Sequence, residues 1–249
     1  MSNPSARGTD PAPKPRLSRL VGAWAIHALT ASGAIFGMLA LLAVMQGDAR
    51  TGLLWLALAL AIDALDGPLA RKLRIRNVIP HVNGDVLDLV VDYLNYVLVP
   101  ALFLYYFDLL PQGWGFAGAG FVLLTSLYCF ANVNMKTADN YFVGFPATWN
   151  VVILYLWILD SPALLNAVVV AALGIVTFLP VKFVHPIRVR EWRGITYTST
   201  FVWSACALAL LGVSPTSPWW LLAPWLGASG WLAFMSMRRT WRGSGASAQ

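Results

Sequence analysis

The chain has 249 residues, of which 58% are hydrophobic and only 11% charged, whereas soluble domains carry about a quarter charged residues. That composition excludes an ordinary soluble globular domain and is that of a polytopic membrane protein. The formal net charge of +6 is accounted for by membrane topology, as the distribution of Lys and Arg shows below, and no nucleic-acid partner is expected.

Taken in chain order, residues 1–15, MSNPSARGTDPAPKP, are Pro/Ser-rich and expected to be a disordered cytoplasmic N-terminus. They lack the charged, apolar and cleavage regions of a signal peptide. A membrane crossing needs about 20 mainly apolar residues. Candidate spans lie at 25–46, 50–71, 84–107, 113–134, 142–160, 162–182, 195–213 and 217–237. Residues 16–29 read alternatively as an amphipathic segment lying along the interface before the first span. Gly- or Pro-bearing turns at MQGDARTG, DLLPQGWG, LDSP and GVSPTSP fit the boundaries. The expected fold class is therefore all-α, an integral membrane protein of about eight transmembrane helices in one domain, 16–240, with a cytoplasmic tail at 241–249.

With eight spans, both termini and the even-numbered loops share one side. That side and its helix ends receive every one of the 17 Lys and Arg residues except Arg50. Such an imbalance places both termini, and the loops 72–83, 135–141 and 183–194, in the cytoplasm. The resulting basic face attracts anionic lipid headgroups. The two cysteines, Cys129 and Cys206, sit in apolar runs and read as packing residues rather than a disulfide. The histidines His27, His81 and His185 show no metal-ligand spacing.

Most of the acid sits where it is least expected, in the stretch DALDGPLARKLRIRNVIPHVNGDVLDLVVD between two apolar runs. Asp63 and Asp66 stand near the cytoplasmic end of the second span, i and i+3. Asp88 and Asp92 stand near the cytoplasmic start of the third, i and i+4. Each pair shares a helix face, and the short connection brings the two helices side by side. Four negative charges in a low dielectric repel one another and protonate unless cations neutralise them. Hard divalent cations, Mg²⁺ or Mn²⁺, suit a site of carboxylates alone, and two such ions a few Å apart clamp a phosphoryl group. Gly67 and Ala70 leave no bulk beside Asp63 and Asp66, and Arg71 follows at the height of a phosphate. Pro68 leaves the carbonyl of Ala64 without its helical donor, so a kink is expected there. Gly84 permits close approach of the loop, Asn83 is the expected N-cap, and Asp85 reads as first-turn charge compensation. A lone aspartate at a helix end is usually a cap, and small residues also serve helix packing. The joint pattern over two adjacent spans is what points to a site.

That pattern, DALDGPLAR with GDVLDLVVD, resembles the signature of the CDP-alcohol phosphatidyltransferases, although residues 72–83 make a longer loop than that family's usual one. The resemblance implies that Asp63, Asp66, Asp88 and Asp92 hold two divalent ions, Mn²⁺ or Mg²⁺. Asp92 would also be the general base, and Gly67, Ala70, Arg71 and Gly84 would border CDP-diacylglycerol. The eight spans, HALTASG in the first of them, NYFVGFPATWN and FVHPIRVREWR make nearly the whole chain similar to the bacterial phosphatidylcholine synthases within that family. The implied reaction is CDP-diacylglycerol plus choline giving phosphatidylcholine plus CMP, at the bacterial inner membrane among membrane lipids. Homodimers are common among such proteins, and no dimer motif is readable here.

A trimethylammonium group is recognised by aromatic faces, aided by a carboxylate. Tyr93, Tyr96, Trp149, Tyr155 and Glu191 are the candidates for a choline pocket, although most aromatics of a membrane protein serve belts and packing. Arg188 and Arg190, in the basic loop KFVHPIRVREWR, are candidate contacts to the donor's phosphates, while topology alone also explains that loop. Two alternatives stay open. A different acceptor (glycerol 3-phosphate, serine or inositol phosphate) keeps the chemistry but needs a basic pocket if phosphorylated. A cation transporter explains intramembrane aspartates but ordinarily shows repeated halves and a midplane site.

Overall fold

A computed structural model describes residues 16–213 and 215–243. The expected disordered segment 1–15 and residues 244–249 of the tail lie outside the described residues. Eight helices follow in chain order: α1 (Leu17–Met45), α2 (Ala49–Leu73), α3 (Gly84–Tyr106), α4 (Gly115–Ala131), α5 (Trp149–Ile158), α6 (Ala163–Val176), α7 (Arg193–Val213) and α8 (Trp219–Trp241). Four of them, α1, α2, α3 and α7, are long and apolar enough to cross a bilayer. With the shorter apolar helices they make this a polytopic membrane protein, mainly helical with one two-stranded sheet.

The helix starts and stops follow local chemistry. Asp48 caps α2 by accepting the Thr51 N–H at 2.9 Å, and the helix ends where Arg74 turns left-handed at φ 50°. Pro68 lies inside α2, which continues through it. Asn83 caps α3, accepting from the N–H groups of Asp85 and Val86. Midway along α3, Pro100 has no N–H to give and its ring crowds the carbonyl of Tyr96, four residues back. The helix widens there into a π-turn over Leu94–Leu98.

Three expectations change. Residues 16–29 do not form a separate interfacial segment, because nothing in them breaks a helix. They are the first turns of α1, which at 29 residues is about 44 Å long and outruns a hydrocarbon core of about 30 Å. Its extra turns pack Ala23 and Ile26 against Ile75 and Ile79 of the α2–α3 connection. The fifth span shrinks from 142–160 to α5 at 149–158. Gly144 and Pro146 break the helix, and Tyr141–Val143 pairs instead as a strand, β1, with Lys182–Val184, β2. Gly144 is needed at φ 81°, where a Cβ would strike the Thr177 carbonyl. The tail begins later than 241, since α8 runs to Trp241.

At ten residues, about 15 Å, α5 is a core helix. Trp149, Asn150, Val152, Ile153, Leu154, Leu156 and Ile158 bury all its sides. Around it pack the second half of α3, α4 and α6 to α8. On the other flank α1 lies directly on α3. A Cβ at Gly33 would sit 2.6 Å from Val91 Cγ1, and one at Gly37 2.5 Å from Asn95 Oδ1. Small residues at such a crossing let two backbones approach, the usual source of helix association in lipid. α1 packs along the length of α2 and also against α3, so these three helices together carry all four aspartates.

Candidate active site

A cavity of about 1040 Å³ opens where α2, α3, the end of α4, the 132–148 loop and the 182–192 loop meet. Its acid side is carried by α2 and α3. One oxygen each of Asp63, Asp88 and Asp92 lies within 4.8 Å of the others, a set able to hold a metal ion. Asp66 lines the same cavity and is only 4% exposed, but it stands outside that close set. At i+3 it is rotated about 60° around α2 from Asp63. The donor set fits a hard divalent ion: oxygen only, convergent, and without a competing cation, since none of the ion pairs among the described residues uses any of the four. Among the described residues, the one side-chain hydrogen bond made to them comes from Tyr96, whose hydroxyl donates to Asp63 Oδ2 at 2.6 Å.

Basic groups line the same cavity. Arg71 rises from the last turn of α2, and Arg188 and His185 come from the loop after β2. A Cβ at Gly67 would lie 3.3 Å from Arg71 Nη1 and 3.8 Å from Arg188 Nη2, so this glycine leaves room for both guanidinium groups over the helix. Neither arginine takes part in an ion pair among the described residues. Burial, and then Arg71, pull Arg188 below the ordinary arginine value, while Asp63 and Asp88 act the other way. Burial, followed by Arg188, Lys136 and Arg71, pushes His185 down to about 4. It is therefore neutral at physiological pH, stacked on the Phe142 ring with centroids 5.4 Å apart.

The loops lining the cavity are held by α8. The Lys182 N–H donates to Thr240 Oγ1 at 2.8 Å and the Val184 N–H to Ser236 Oγ at 3.0 Å. Glu191 accepts from Arg238 at 2.6 Å and Arg242 at 3.2 Å, and Asp139 from Arg239 at 2.6 Å.

The sequence-derived candidates divide sharply. Asp63, Asp66, Asp88, Asp92, Gly67, Ala70, Arg71, Gly84, Arg188 and Tyr96 all line the cavity. Gly84 does so with a different neighbour from the one expected: it admits the His27 ring of α1, 3.1 Å from where its Cβ would be. The other choline candidates are engaged elsewhere. Tyr93 donates its hydroxyl to the Leu123 carbonyl. Trp149 is fully buried and donates to Ser126 Oγ. Tyr155 stacks on Trp225, with ring centroids 4.2 Å apart, and accepts from Trp203 Nε1. Glu191 is consumed by its two arginines, and Arg190 is exposed, away from the cavity. Asp85 pairs with Arg76 in solvent. Lys136, His185, Phe130 and Phe142 line the cavity without having been singled out as site residues. Only their neighbourhood to a Gly/Pro-broken segment hinted at a loop folded back over the acids.

No family model matches the chain. Curated relatives do. The phosphatidylcholine synthase of Pseudomonas aeruginosa is 45% identical over 220 residues, 88% of this chain and 92% of its own length. That of Rhizobium johnstonii is 38% identical over 200 residues, covering 80% and 83%. That of Borreliella burgdorferi is 33% identical over 194 residues, 78% and 82%. The chain belongs to the phosphatidylcholine synthase family. It is thus a transferase of phospholipid synthesis.

Proposed function

We propose that this phosphatidylcholine synthase transfers the phosphatidyl group of CDP-diacylglycerol to choline, releasing CMP. The observation that carries the reading is the meeting of opposites in one cavity: convergent carboxylates on α2 and α3 and the guanidinium groups of Arg71 and Arg188, none of them in an ion pair among the described residues. A pyrophosphate with divalent counterions satisfies both. Asp63, Asp66, Asp88 and Asp92 would hold two Mn²⁺ or Mg²⁺ ions. When bound, such ions neutralise charge on the pyrophosphate and on departing CMP. Arg71 and Arg188 grip phosphate oxygens, with Gly67, Ala70 and Gly84 giving the nucleotide room. The choline hydroxyl oxygen bonds to the phosphorus bearing diacylglycerol, its proton passes to Asp92, and the bond from that phosphorus to CMP breaks. Asp92 is the base because it is the deepest of the set along α3. Phe130 and Phe142 are the aromatic rings of the cavity lining proposed to meet the quaternary ammonium.

The Lys and Arg distribution puts this cavity and both termini on the cytoplasmic side of the inner membrane, with residues 16–240 as one catalytic unit. The basic groups also favour a second acceptor class, phosphorylated alcohols, and one experiment separates the two. Purified protein receives CDP-diacylglycerol with labelled choline or labelled glycerol 3-phosphate, with and without Mn²⁺. Metal-dependent phosphatidylcholine and CMP are expected with choline alone. Product only from glycerol 3-phosphate overturns the acceptor, and no CMP from either overturns the reaction.

A further inference from the structure

The four aspartates lie on two helices, and among the described residues one side-chain hydrogen bond joins those helices: Tyr96 of α3 to Asp63 of α2, at 2.6 Å. Tyr96 is 7% exposed and stands one turn beyond Asp92, inside the π-turn over Leu94–Leu98. Such turns are rare and concentrate at functional sites. The ring is fixed by its place in the main core cluster, so the hydroxyl has a set position. Asp63 has no other hydrogen-bond partner among the described residues. With Oδ2 engaged by the phenol, rotation of the carboxylate is restricted and Oδ1 is left for an ion.

Resting on the proposed reading of the aspartates as metal ligands, we infer that Tyr96 is a positioning residue: its hydroxyl orients Asp63 and locks α2 to α3 at the spacing the ions require. It acts through Asp63 and not as a cage for the choline cation, although its ring borders the cavity. Groups that orient a metal's ligands typically alter affinity or activity by about 10- to 100-fold when removed.

The test is Tyr96→Phe, which deletes the hydroxyl and keeps the ring. Binding of Mn²⁺ to the purified, substrate-free protein is followed by electron paramagnetic resonance, beside wild type and Asp63→Asn. Tyr96→Phe is expected to bind Mn²⁺ about 10- to 100-fold more weakly. KM for choline should be unchanged, and most of kcat should return at saturating Mn²⁺. Wild-type Mn²⁺ affinity in the variant, or a raised choline KM with normal Mn²⁺ binding, overturns the inference while the proposed function stands. No Mn²⁺ binding by wild type removes the metal site and both readings with it. A fluorotyrosine at position 96, which preserves the hydrogen bond and the fold, gives a second measurement. Its ¹⁹F resonance should shift as Mg²⁺ is added, with the midpoint of metal binding, and a resonance indifferent to Mg²⁺ counts against the inference even if Tyr96→Phe does not fold.

Discussion

The acids of this protein fall into two regions treated in opposite ways. Around the end of α8, Asp139 and Glu191 are each met by an arginine within 2.6 Å, and the result is a clasp that fixes loops. At α2 and α3, Asp63, Asp88 and Asp92 converge, with Asp66 on the same cavity, and among the described residues no ion pair uses any of them or Arg71 or Arg188. An acid and a base that could neutralise each other but are held apart in one cavity are a binding arrangement for something carrying both signs. A nucleoside pyrophosphate with divalent ions is such a ligand. The paired region shows what the chain does with charge when only architecture is at stake.

Substitutions should separate the two regions by size and kind of effect. Asp92→Asn is expected to reduce kcat by about 10²- to 10⁴-fold, the usual range for a lost general base, with CDP-diacylglycerol binding partly retained. Labelled-choline turnover beside donor-binding isotherms measures both, and normal turnover defeats the assignment. Arg188→Ala removes a charged contact of about 1.5–3 kcal/mol and should raise KM for CDP-diacylglycerol about 10- to 100-fold, with the choline KM little altered. Tyr155→Phe, in the aromatic stack with Trp203 and Trp225, should lower stability by about 1 kcal/mol, seen as a lower Tm in detergent, and leave choline KM unchanged. A raised choline KM would restore Tyr155 to the pocket.

The smallest effect is expected at the clasp. Burial raises the Asp139 carboxyl, but hydrogen bonds from Arg239 and Thr137, and the Arg239 charge, outweigh it and hold the group below the usual carboxylate value. A lowered folded-state value means stability that is present above the unfolded value of about 3.9 and lost as pH falls through the folded one. The pair is partly solvent-screened, so Asp139→Asn should cost less than about 1 kcal/mol near neutrality. Thermal scans of the two proteins should converge as pH drops below about 4. A difference that persists there would locate the stabilisation elsewhere.

What could be read in advance follows the same division. The helices other than the overlong fifth span, and the convergence of Asp63, Asp88 and Asp92, were legible because spacing and apolar length are local: i, i+3 and i, i+4 put side chains together whatever surrounds them. The position of Arg188 opposite Gly67 was only half legible, as a basic loop on the right side of the membrane. The strand pair that puts it there joins residues 141–143 to 182–184, a long-range contact. Which choline candidates are packed could not be read in advance, because an aromatic residue near a site has the same letter whether its face is free or packed. Trp149 and Tyr155 belong to a helix buried on all sides, and that burial depends on the neighbours of α5 rather than on its own pattern. Tyr96 was selected for its ring, whereas its hydroxyl makes a hydrogen bond to Asp63 that depends on how α2 and α3 pack.

The two glycines where α1 rests on α3 limit what the first helix can tolerate. Val91 and Asn95 bracket Asp92 in the chain, so a methyl group added at Gly33 or Gly37 makes side chains shift on the same helical turns as the proposed base. A side chain that never meets a substrate can retune the reaction simply by being one carbon larger.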